Sequence, residues 1–141
     1  MKKKIVSVVS ILLALLFAVT LTSCQKADQT DIWKNATYTR DTELGSGSKT
    51  LTVEVKAQEK TVTFTIKTDK ATVGEALMEH QLIAGEEGPY GLYIKQVNGI
   101  TADYDVDQTY WAFYVNGEYA MTGVELTEIT EGAVYQLAYT K

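Results

Sequence analysis

Tyr110-Trp111-Ala112-Phe113-Tyr114-Val115-Asn116-Gly117-Glu118-Tyr119-Ala120-Met121 is the stretch on which the fold turns. Aromatic and β-branched residues in alternation predict a strand, and Asn116-Gly117 is a strong signal for a two-residue hairpin turn. Successive side chains of a strand point to opposite faces, so Trp111, Phe113 and Val115 share one face and Tyr110, Ala112 and Tyr114 the other. The first face is expected to enter the core, Trp111 with it. The second carries two tyrosines, a surface suited to gripping a flat ligand or to packing a flanking loop.

Upstream, period-2 patterning starts sharply at Thr50. Leu51, Val53, Val55 and Ala57 alternate with polar residues, Gln58-Glu59-Lys60 breaks the run, and Val62, Phe64 and Ile66 alternate again. That is a hairpin with one apolar face. Thr72-Val73-Gly74-Glu75 has the Thr-x-x-Glu form of a capping box, with Val73, Ala76, Leu77 and His80 at helical spacing behind it. The helix is short, ending near Gly85, and must be held by packing on a sheet. Gly85 to Gly91 reads as a loop, and Gly91 to Val97 as a strand ended by a second Asn-Gly turn at Asn98-Gly99. Residues 100–109 are too polar for a central strand, and Ala133 to Tyr139 closes the chain as a last strand. Strands with one covering helix predict an α+β domain, a two-layer β-grasp-like arrangement with a mixed sheet over residues 50–141. That length suffices for a single core without disulfides.

The N-terminal part reads differently. Lys2-Lys3-Lys4 precedes an apolar run from Ile5 to Leu21, and Leu21-Thr22-Ser23-Cys24 follows. A basic segment, an apolar segment and small residues make an export signal over residues 1–23. The run is also about long enough for an uncleaved anchor helix. The Leu-Thr-Ser-Cys ending is similar to the bacterial lipobox, which implies cleavage before Cys24 and lipidation of its thiol. As the only cysteine, Cys24 has no disulfide partner within the chain. The expectation is an extracytoplasmic protein held on the bacterial membrane through lipidated Cys24. Removing Lys2, Lys3 and Lys4 moves the formal charge from −5 to −8, which argues against nucleic acid as a partner. Residues 24–49 lack any period and include Gly45-Ser46-Gly47-Ser48, so they read as a flexible tether. Trp33 and Tyr38 are the residues in it that could dock back on the domain.

A family resemblance rests on three pieces of the chain. Thr72-Val73-Gly74-Glu75-Ala76-Leu77, then Tyr90-Gly91-Leu92-Tyr93-Ile94 running into Val97-Asn98-Gly99, then Tyr110 to Gly117 resemble the transcobalamin-like C-terminal domains of bacterial surface lipoproteins. The tryptophan followed by a Val-Asn-Gly turn is the most specific element. Gly132 departs from the pattern, being followed by Ala133 where the family often has aspartate, which affects one turn. The resemblance implies a β-grasp domain and makes cobalamin or another corrinoid the first ligand to consider. In the animal members a separate helical domain completes the cobalamin site, so a transporter or second surface protein is a candidate partner here. Such domains also serve as adhesion or tethering modules.

Catalysis finds little material, and the expectation is a non-enzymatic protein that requires no cofactor. His80 sits at helical spacing with apolar residues, and the only serines after Cys24 are Ser46 and Ser48, so a Ser-His or Cys-His pair lacks a nucleophile in the folded part. Asp103, Asp105 and Asp107 alternate in what reads as an extended segment, where their carboxylates would project to one side and could recruit calcium. They do not form an EF-hand, since Gln108 and Tyr114 fall where its glycine and bidentate glutamate belong. Solvated loop charge is the other reading. The tyrosines give the main candidate site: the Gly88–Gly91 loop with Tyr90 and Tyr93, and the face bearing Tyr110 and Tyr114, form the expected ligand edge.

Overall fold

A computed structural model describes residues 30–141. The expected signal segment 1–23, Cys24 and the first residues of the expected tether lie outside them. The described residues form one unit, Asp31–Lys141.

Strand β1 spans Thr42–Gly45, β2 Lys49–Ala57 and β3 Lys60–Thr68. The apolar alternation of the last two becomes their buried face: Leu51, Val53, Val55, Val62, Phe64 and Ile66 are all 1% exposed or less. Helix α1, Val73–Glu79, follows with both halves of the predicted capping box in place. The Thr72 hydroxyl accepts from the Glu75 amide, and the Glu75 carboxylate accepts from the Thr72 amide. Strands β4 (Ile83–Gly88), β5 (Gly91–Val97) and β6 (Ile100–Thr101) come next, then a single helical turn α2, Tyr104–Asp107. Strands β7 (Tyr110–Val115), β8 (Glu118–Tyr119) and β9 (Val134–Thr140) complete the chain, with a 3₁₀ turn at Val124–Leu126 before β9.

The larger sheet has the order β1-β3-β2-β9-β7-β8. It is mixed: β2 runs parallel to β9 at its centre and β1 parallel to β3 at one edge, while the remaining pairs are antiparallel. Strands β4, β5 and β6 form a separate antiparallel sheet. The protein is therefore β-rich α+β with a mixed sheet and short helices. Two details differ from the sequence reading. Gly85 does not end a helix; it lies inside β4, just after a register shift that follows Ala84. Exposed Glu86 and Glu87 carry no apolar alternation, so the strand is set by backbone pairing to β5 and leaves no side-chain signal.

The tether reading fails from Asp31 onward. Trp33, in a 3₁₀ turn Ile32–Asn35, is 7% exposed, and its indole Nε1 donates to the Ala57 carbonyl at 3.0 Å. Tyr38 meets Phe64 edge-on at 5.6 Å between ring centres. Leu44 in β1 packs against the core. The physical reason is that several contacts act together: buried Trp33, Tyr38 against Phe64 and bonded to Asn98, and the pairing of β1 with β3 jointly offset the cost of ordering the segment.

Just after β3, Asp69 accepts from both the amide and the hydroxyl of Ser48, which lies between β1 and β2, at 2.9 Å each. These bonds to Ser48, with help from Lys49, hold the Asp69 carboxyl below its ordinary value. A group whose folded value is depressed stabilises the fold fully above the ordinary carboxylate range and loses that contribution as pH falls through the lowered value. Asp69→Ala is thus expected to lower the melting temperature near neutral pH. The gap to wild type should close on acidification towards about pH 2; a gap that persists there would assign the effect to packing.

Candidate functional site

Strand β8 has only two residues, and it pairs with only the last two of β7, Tyr114 and Val115. The Ala120 amide adds one bond to the Phe113 carbonyl. Upstream of that point the outer edge of β7 has no strand beside it, and a cleft of about 370 Å³ runs along the gap. Leu92, Tyr93 and Ile94 of β5, Tyr110, Trp111 and Phe113 of β7, and Tyr119 to Val124 line it.

The local sequence explains this arrangement. Asn116 and Gly117 both take positive φ (50° and 82°), as a tight hairpin demands. After Tyr119 the chain leaves the sheet and crosses to α1, where the Val73 amide donates to the Thr127 carbonyl and Thr72 bridges Glu128. Gly74 makes that crossing possible: a Cβ there would lie 3.0 Å from the Glu125 backbone. The 3₁₀ turn is thereby pressed onto the helix, and the Glu125 carboxylate accepts from the amide of the lining residue Leu92 at 3.0 Å. Tyr135, 1% exposed, ties the same crossing down from below. Its hydroxyl donates to the Glu128 carbonyl at 3.1 Å and accepts from the Thr130 amide at 2.9 Å.

Of the four tyrosines expected at the ligand edge, the cleft includes Tyr93 and Tyr110. Tyr90 is 97% exposed on the turn between β4 and β5 and does not line it. Tyr114 is also outside it, its ring packed edge-on against Tyr119 at 5.5 Å. Trp111 enters the core as expected, its Nε1 donating to the Ile100 carbonyl at 3.2 Å, yet it also lines the cleft. The expectation assigned core and ligand edge to opposite faces of β7. At an unpaired strand edge both faces border the same space, so residues of either parity reach it. Tyr119 and Met121 are the lining residues that face-by-face reasoning misses; Met121 is 96% exposed.

The aspartates do not form the expected one-sided ligand set. The segment is a helical turn, not an extended strand: Asp103 caps it, accepting from the Asp105 amide at 3.0 Å. Asp107 is engaged by the amide and hydroxyl of Thr109, which hold its carboxyl below the ordinary value. Among the described residues no three histidine, cysteine or carboxylate side chains are grouped to hold a metal ion. His80 lies with its Nε2 against Gly45 and 4.0 Å from the Glu79 carboxylate.

With this geometry in view, residues 70–141 match the domain of unknown function DUF4430. The chain belongs to that family. The match takes in α1, both sides of the cleft and β9. A crystal structure of a candidate metal-binding protein from Ruminococcus gnavus ATCC 29149 is similar over 67% of this chain and 98% of that one, with 33% identity and a TM-score of 0.63. Haptocorrin, crystallised in complex with Cbi, gives a TM-score of 0.48 at 20% identity over 70% of this chain. The chain spans only 26% of haptocorrin's length. No curated protein matches the chain in sequence.

Proposed function

We propose that this protein is a non-enzymatic, lipid-anchored, extracytoplasmic binding domain that captures a small molecule in the cleft beside β7. The carrying observation is the cleft itself, a concave aromatic-lined groove of about 370 Å³ between two sheets. Ligand sites take this form, mostly apolar with a few polar groups at the rim. The fold reading is a β-grasp: an N-terminal hairpin, a covering helix, and a last strand parallel to the first strand of that hairpin support it. The transcobalamin-like pattern at Tyr110–Gly117 supports a corrinoid as the first candidate, held by one edge, with a transporter or second surface protein covering the rest. Fold-level likeness is a weak guide to ligand, so the binding test must decide. The Lys2–Cys24 segment supports the anchor.

The test is a thermal-shift and titration screen of the full chain against cobalamin, cobinamide, other tetrapyrroles and calcium. The metal-binding description of the Ruminococcus gnavus relative puts calcium in that panel. Tyr93 and Tyr119 are 43% and 62% exposed, so replacing both by alanine leaves the core intact. Tyr93→Ala/Tyr119→Ala is expected to weaken binding about tenfold or more, since each stacked aromatic contributes roughly 1 kcal/mol, with a melting temperature close to wild type. A ligand whose affinity ignores this pair binds elsewhere, and the cleft reading falls.

A further inference from the structure

The cleft's charge is as one-sided as its aromatic content. Five of its lining residues are aromatic: Tyr93, Tyr110, Trp111, Phe113 and Tyr119. Among the described residues no lysine, arginine or histidine lines it. The surrounding strands add Glu86 and Glu87, paired across β4–β5 with Tyr93 and Leu92, and Glu118 beside Tyr119. Lys95 is the one basic residue on these strands, and its Nζ is drawn 3.2 Å from Glu86. Glu125, the neighbour of the lining residue Val124, has one carboxylate oxygen bonded to the amide of Leu92, itself a lining residue.

An anion has no counter-charge in this site. A cation has two favourable features: the aromatic lining, and the Glu125 carboxylate held beside it on the Leu92 amide. From this we infer that the cleft selects a small organic cation, an alkylated ammonium group held by its aromatic lining, with the Glu125 carboxylate beside Leu92 as the nearby counter-charge. This rests on the cleft being a ligand site and narrows the ligand from a flat molecule in general to one bearing a positive, apolar-skinned head. Alkylated ammonium fits better than a metal ion, because the lining includes no carboxylate and the grouped carboxylates a hard cation needs are missing among the described residues.

The experiment is calorimetric titration of the full chain with choline, with tetramethylammonium chloride, and with 3,3-dimethyl-1-butanol. The last replaces the quaternary nitrogen by carbon, keeping choline's shape while removing its charge. Choline is expected to bind at least about tenfold more tightly than the neutral isostere, the scale of a desolvated cation–π contact. Glu125→Gln keeps an acceptor for the Leu92 amide, so the turn stays in place while the charge goes. It should weaken choline severalfold and leave the isostere unchanged. Equal binding of choline and the isostere, or a corrinoid that binds where choline does not, overturns the cation inference and leaves the small-molecule reading standing. A cleft that binds none of these, nor anything in the wider panel, overturns both.

Discussion

A chain that starts at Thr50 is expected not to fold cooperatively, although its pattern of strands and helix is complete. Residues 31–49 supply Trp33, 7% exposed and bonded through its indole to Ala57, and β1, which covers the outer edge of β3. They also supply Tyr38, whose amide and carbonyl are both taken by the Asn98 side chain at 2.9 Å and 2.8 Å. Losing a buried tryptophan alone costs about 3–5 kcal/mol. Leaving the Asn98 amide without partners adds about 1–3 kcal/mol for each stranded group. Domains of this size have total stabilities of only about 5–15 kcal/mol, so the sum removes most or all of the margin. Urea unfolding of residues 31–141 and 50–141, followed by tryptophan fluorescence and circular dichroism, is the measurement. The longer chain should give one sigmoidal transition and the shorter none, or one at a far lower midpoint. Equal midpoints would mean that the arm merely rests on the domain and that the core is closed without it.

That expectation marks where sequence patterning stops being informative. The β2–β3 hairpin, the α1 capping box and both Asn-Gly turns could be read directly, because each is written in local spacing: period 2, a Thr-x-x-Glu, a dipeptide. Trp33 and Tyr38 are held by bonds spanning 24 and 60 positions of sequence, and such contacts impose no local period. A docked arm and a tether therefore look alike in composition. Strand β4 hides for a related reason: its exposed glycines and glutamates pair through backbone atoms that every residue possesses.

The cleft divides along the same line. Tyr93 and Tyr110 are found from sequence because aromatic enrichment is visible there. Tyr119 and Met121 join them because β8 stops after two residues and the chain is pulled towards α1. How early a strand ends depends on what its continuation packs against, here Gly74 and the helix start. The aspartates show the converse error, since alternate carboxylates share a side only if the backbone is extended. Asp103 instead caps a helical turn that places Asp105 and Asp107 around an axis.

The two Asn-Gly turns provide the sharpest internal comparison, and Asn98→Ala is expected to be the most damaging single substitution outside the apolar core. Asn98 and Asn116 have nearly the same backbone, φ 51° and 50°, each followed by a glycine at positive φ. Their surroundings differ. Asn116 is exposed, and its side chain accepts one bond, from the Val134 amide at 2.9 Å. Asn98 is fully buried, and its side chain both accepts from and donates to Tyr38 while its own amide donates to Leu82 at 2.7 Å. Alanine at either site carries the left-handed backbone penalty of about 1 kcal/mol. At position 98 it also strands the half-buried amide and carbonyl of Tyr38, at about 1–3 kcal/mol each, for a total near 4 kcal/mol. At position 116 the total should stay within about 2 kcal/mol, because water replaces the exposed bond. Asn98→Gly separates the two contributions, since glycine adopts the same φ without strain. The expected order of destabilisation in urea unfolding is Asn98→Ala, then Asn98→Gly, then Asn116→Ala. If Asn98→Gly proves as stable as wild type, the amide bonds to Tyr38 contribute nothing net, and the arm is held by Trp33 and β1 alone.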